Sequence, residues 1–135
     1  MLRWIQWTLL GVSLAWLGVG VAAAVPVSVE LNKLETDGDS CKAYMVTDND
    51  QDQALESLQL DLVMFDGDGI ISKRLAVELG PLPASKTRVE VFRIEGTPCG
   101  DIHRILLNGV TRCGDAPDCA GQVSVSSRSD VEFVE

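Results

Sequence analysis

Apolar residues recur two apart in short runs punctuated by turn formers, and a period of two is that of a pleated strand, not of a helix at 3.6. Val25, Val27, Val29 and Leu31 alternate with Pro26, Ser28, Glu30 and Asn32. Leu58, Leu60, Leu62 and Met64 alternate with Gln59, Asp61, Val63 and Phe65, and this run ends at Asp66-Gly67-Asp68-Gly69. Aspartate and glycine tolerate the positive φ of tight turns, so the segment predicts a hairpin into a further strand over residues 71–79. In that strand Leu75, Val77 and Leu79 face inward, and Arg74 and Glu78 face outward.

The same reading places a second strand over 41–49, after the turn-rich 35–40, with Tyr44 and Val46 on one face and Ala43 and Met45 on the other. Gly80-Pro81-Leu82-Pro83 stops the fourth strand because proline lacks a ladder donor. A fifth spans 87–94, where Val89 and Val91 face one way and Phe92 and Ile94 the other, implying a bulge or burial on both sides. A sixth covers 104–112 and a seventh 122–128. The best helical pattern, residues 52–58, is only two turns long. Seven short strands without a long helix predict one all-β domain, an immunoglobulin-like β-sandwich.

The N-terminus reads as a secretory leader: Arg3 is its basic region, residues 4–20 its apolar stretch, and Ala22, Ala23 and Ala24 its small-residue cleavage motif. We expect a signal peptide over 1–24, cut after Ala24 on the general secretory route, and a domain over 25–135 in the periplasm or outside the cell. Uncleaved, the same segment would be long enough to anchor the chain in a membrane. Export makes Cys41, Cys99, Cys113 and Cys119 structural cysteines. Immunoglobulin strand order would set the start of the second strand beside the end of the fifth, pairing Cys41 with Cys99. A hairpin of the sixth and seventh strands would pair Cys113 with Cys119.

The formal charge is −9 over 135 residues, and loss of Arg3 with the leader makes it one unit more negative. An acidic surface repels phosphate backbones, so nucleic acid is not an expected partner. The loops after the first, third and fifth strands leave a sandwich at one end, which would gather Asp37, Asp39, Asp66, Asp68, Glu95 and Asp101. That end is the candidate interaction or cation cluster, suited to a basic surface of another envelope protein.

Residues 60–69, Leu-Asp-Leu-Val-Met-Phe-Asp-Gly-Asp-Gly, follow Asp48-Asn49-Asp50 and precede Gly80-Pro81-Leu82. This arrangement resembles the FxLYD-type immunoglobulin-like domains of bacterial envelope proteins. Cys41-Lys42-Ala43-Tyr44, the 60–69 segment, Arg104-Ile105-Leu106-Leu107-Asn108 and Ser126-Ser127-Arg128 extend a second resemblance over nearly all of the mature part. It is to short exported proteobacterial proteins often labelled by a twin-arginine signal, a pair this chain lacks. Both resemblances imply a small exported β-domain and carry over no catalytic residue.

Enzymatic constellations are thin. His103 is the one imidazole, with Asp101 two residues before it, and no serine lies in a G-x-S-x-G elbow. Zinc would want closely spaced ligand pairs, and only Cys113 and Cys119 approach that. Asp48, Asp50 and Asp52 fit the start of a helix-loop-helix calcium loop, but Gln53 replaces its glycine and Gln59 its bidentate glutamate. Trp4, Trp7 and Trp16 all lie in the leader, so the mature part lacks the usual tryptophan platform for sugars. The expectation is a non-enzymatic envelope accessory or interaction module without cofactor or resident metal, with a ligand- or calcium-binding protein as the alternative. The tail 130–135, where Val131, Phe133 and Val134 alternate with acidic residues, is a further candidate for strand addition to a neighbour.

Overall fold

The computed structural model describes residues 15, 17–18, 27–114 and 120–135. Eight strands follow in chain order: β1 (Val27–Asp37), β2 (Ser40–Asn49), β3 (Leu58–Phe65), β4 (Ile71–Glu78), β5 (Lys86–Ile94), β6 (Arg104–Cys113), β7 (Val123–Ser127) and β8 (Glu132–Val134). They form two four-stranded sheets, ordered β5-β2-β1-β7 and β4-β3-β6-β8. The inward faces of both sheets share one core, so the architecture is a two-layer β-sandwich. Val27, Val29 and Leu31 of β1 and Ala43 and Met45 of β2 meet Leu58, Leu60, Leu62 and Met64 of β3 across it. The alternation of the sequence is thus the alternation of burial. Among the described residues no helix is long and apolar enough to cross a membrane.

Several expectations change. β1 runs through residues read as a turn, because Gly38 at φ 59° lets Gly38-Asp39 alone close the hairpin to β2. β5 pairs with β2 in unbroken register and is buried on one face only: Ile94 is fully buried, while Val89 and Val91 lie on the wet face. Neither a bulge nor two-sided burial occurs. Residues 52–58 form no helix; Leu55 instead makes a bridge to Leu82, with amide–carbonyl bonds in both directions.

The largest departure is at the C-terminus. β6 and β7 do not form a hairpin, since β7 pairs in parallel with β1 in the other sheet, over Val27↔Val123 to Leu31↔Ser127. The chain then crosses between the sheets, and an eighth strand pairs in parallel with β6, over Arg104↔Glu132 to Leu106↔Val134. Ser127 and Ser129 make the crossing. The Ser127 hydroxyl donates to the Val131 carbonyl and accepts from the Ser129 amide, and the Ser129 hydroxyl accepts from the Val131 amide. The tail is therefore not a free strand donor: Phe133 is buried in the core.

Among the described residues one disulfide is seen, Cys41–Cys99. Cys113 is buried at the end of β6, and Cys119, its expected partner, lies outside the described residues. So do Val25, Pro26 and the expected leader, apart from Ala15, Leu17 and Gly18, which belong to no helix or strand.

Candidate functional site

The loops after β1, β3 and β5 lie together at one end of the sandwich, drawn in by specific contacts. The disulfide fastens the 3-10 turn Cys99–Asp101, which precedes β6, to the start of β2. The Ser40 hydroxyl accepts from the Gly96 amide at 3.2 Å, and Lys73 Nζ donates to the Glu95 carbonyl at 3.2 Å. At the β3–β4 hairpin the His103 amide donates to the Phe65 carbonyl at 2.8 Å, with the imidazole against Gly67.

The six carboxylates of this end differ in what they do. Asp66 is consumed by its turn: Oδ1 accepts from the Asp68 amide at 2.9 Å and the Ile70 amide at 3.0 Å. Asp37 pairs with Arg93 at 3.2 Å. Asp39, Asp68, Glu95 and Asp101 are exposed and make no ion pair among the described residues. Exposed carboxylates outside ion pairs keep their hydration, which a basic partner could replace. Among the described residues no group of three or more His, Cys, Asp or Glu side chains is placed to hold a metal ion.

Sequence reasoning missed a second feature, a groove of about 480 Å³ on the flank where β7 leaves β1. The β1–β7 ladder stops at Leu31↔Ser127, and the Arg128 amide adds one last bond to the Leu31 carbonyl at 2.9 Å. Beyond a bulge at Asn32, β1 continues to Asp37 paired, among the described residues, with β2 only. Leu34, Cys99 and Val131, partly buried against the core, form an apolar floor. The rim cations are already engaged: Lys33 Nζ lies 3.1 Å from Glu35 and 4.6 Å above the Tyr44 ring, and Arg128 Nε lies 3.0 Å from Glu30. The hydrogen bond from Lys33 holds the Glu35 carboxyl below its ordinary value, with the Lys33 charge adding to it. Asp130, exposed at the groove, makes no ion pair among the described residues. The sequence signal was the polar run Ser126–Asp130 between two alternating stretches, which marks a strand that breaks to change sheets.

On the outer face of the second sheet, Asp61 accepts from Arg74 at 2.8 and 3.0 Å and from Asn108 at 2.7 Å. These bonds, that from Arg74 foremost, hold its carboxyl at about 2. Arg74 stands opposite Val63, and Asp61 opposite Ala76, so the ion pair runs diagonally across β3 and β4 and braces the sheet.

No family model and no curated protein matches the chain. The solved structure of IrmA from Escherichia coli is similar to it, with a TM-score of 0.52 and 14% sequence identity, covering 76% of this chain and 91% of that one. At that identity the likeness concerns the fold alone.

Proposed function

We propose that the chain is an exported, non-enzymatic accessory module of the cell envelope that binds another envelope protein through the acidic end of its sandwich. The observation that carries this reading is the division of labour among the carboxylates. Asp66 and Asp37 serve the fold, whereas the carboxylates of Asp39, Asp68, Glu95 and Asp101 stand exposed on neighbouring loops and make no ion pair among the described residues. No hydrogen bond or ion pair among the described residues uses those four carboxylates, so their charges are available to a basic partner surface.

Export with cleavage after Ala24 belongs to the same proposal, and a structural disulfide agrees with an oxidising compartment. We also assign the sandwich to the immunoglobulin-like class. The first, second and fifth strands share one sheet and the third and sixth the other, as strands A, B, E and C, F do in such domains, with β4 beside β3 in the place of an added C′ strand; β7, which joins the first sheet, and β8 are departures from that order. The calcium alternative is not favoured, because the described residues supply no cage for the ion.

The test is capture from a periplasmic extract with the oxidised chain, alongside a variant carrying Asp39→Asn, Asp68→Asn, Glu95→Gln and Asp101→Asn. We expect one stoichiometric partner with a basic surface, released by moderate salt and lost in the variant. Absence of any partner, or equal retention by the variant, overturns the reading.

A further inference from the structure

We propose that the groove beside β1 is a second binding site, taking an extended, basic peptide segment of a partner protein as an added strand on β1. The inference rests on the interaction reading above and deepens it by giving the partner's chemistry.

Two independent observations converge on it. The first is an incomplete ladder. From Asn32 to Asp37 the edge of β1 away from β2 has no strand beside it among the described residues, because β7 ends at Ser127 and its chain departs for the other sheet. An open edge is a template for main-chain hydrogen bonds, and at about 3.3 Å per residue this one offers roughly 20 Å of it. The second is the cavity of about 480 Å³ at the start of that edge, walled by the Cys99–Gly100 turn and the Arg128–Val131 crossing. A strand laid along β1 would direct alternate side chains onto Leu34, Cys99 and Val131.

Charge selects among extended segments. Lys33 and Arg128 are neutralised by Glu35 and Glu30, so the unspent charge at the groove is that of Asp130. Asp101 adds to it at the far end of the 3-10 turn, which the disulfide holds beside the β1–β2 hairpin. An incoming strand therefore gains from a Lys or Arg opposite these carboxylates, and an acidic strand is repelled. The expected ligand alternates apolar residues with at least one basic one.

The test starts from random peptides about eight residues long, enough to cover the free edge, displayed on phage and selected against the full chain folded under oxidising conditions. Selected peptides are then synthesised and their affinities measured by fluorescence polarisation. Backbone N-methylation of alternate residues in one phase should weaken binding roughly tenfold, and in the other phase little, since only one phase faces β1. Gly100→Trp narrows the groove at a position where an added Cβ meets nothing within 4 Å, and should also weaken binding about tenfold or more. Asp130→Lys, at an exposed position, should weaken the basic peptides and select acidic ones instead. Thermal midpoints confirm that both variants are folded; should Gly100→Trp fail to fold, Asp130→Lys and the methylated peptides decide.

Failure to select any peptide, indifference to methylation in both phases, or affinity unchanged by Gly100→Trp and Asp130→Lys overturns the proposal. Those outcomes leave the acidic-end reading to its own variant, which keeps the groove intact apart from the neutralised Asp101.

Discussion

A methyl group on Gly80 would stand 2.7 Å from Ser57 Cα and 2.8 Å from the Leu58 amide nitrogen, backbone atoms that cannot give way as a side-chain end would. The close approach is held by Glu78, whose Oε1 accepts from the Leu58 amide at 2.8 Å and the Gly80 amide at 3.0 Å. Gly80→Ala should therefore lower the free energy of unfolding by about 1–3 kcal/mol, read from urea denaturation. Asn49 does comparable work for the neighbouring loops. It is fully buried, and its Nδ2 lies 3.0 Å from the Gln53 carbonyl, 3.1 Å from that of Pro83 and 3.3 Å from that of Leu82. Asn49→Ala strands the Gln53 and Pro83 carbonyls, while that of Leu82 keeps the Leu55 amide, and a loss of about 1–3 kcal/mol is expected in the same assay. Asp61 gives the pH-dependent case. Its folded carboxyl, at about 2, lies below the ordinary 3.8, so its contribution is complete above pH 3.8 and is lost as pH falls toward 2. The difference in thermal midpoint between wild type and Asp61→Asn should accordingly be constant at neutral pH and close on acidification. It should also shrink with salt, because the Arg74 side chain is largely exposed.

At the scale of elements, what the sequence made legible was local. Alternation identified the strands from β1 to β6 and the inward set Leu58, Leu60, Leu62 and Met64, because a pleat sorts side chains whatever the strand pairs with. It did not reveal which face is wet: Val89 and Val91 read as core candidates, yet β5 is an edge strand whose outer face no described residue covers. Nor did it reveal partners at long range. Adjacent strands usually pair, which argued for a β6–β7 hairpin, whereas β7 and β8 pair in parallel with β1 and β6 through contacts no local pattern encodes. The acidic end was legible because loops after alternate strands of a sandwich emerge together. The groove was not, since it depends on where β7 leaves its sheet. The short β8 is the element whose worth is least apparent from its length. Removing residues 132–135 withdraws Phe133 from the core and uncovers the edge of β6, so truncation before Glu132 should cost at least about 3 kcal/mol, visible as a lowered midpoint in thermal or urea unfolding.

For the molecule as a whole, the Cys41–Cys99 bridge joins the first sheet to the connection that leads out of it. Cys41 opens β2 opposite Ile94, and Cys99 lies in the turn through which the chain passes from β5 to β6 in the other sheet. Ile94 and Ile102, both buried, flank that passage and give it core packing of its own. The bridge also closes a long loop, with a sequence separation of 58, and in the chain-entropy picture such a constraint on the unfolded ensemble is worth about 4 kcal/mol. Against a domain stability of roughly 5–15 kcal/mol that is a large share. Cys41→Ala with Cys99→Ala should therefore lower the stability from urea unfolding by about 3–4 kcal/mol. The loss should fall mainly on the acidic end and the groove, since Cys99–Asp101 walls both. Hydrogen exchange should then show faster opening of residues 95–103 than of β3, whose core face is fully buried. A loss below about 1 kcal/mol, with exchange unchanged at that turn, would mean that Ile94 and Ile102 hold the passage between the sheets without the bridge.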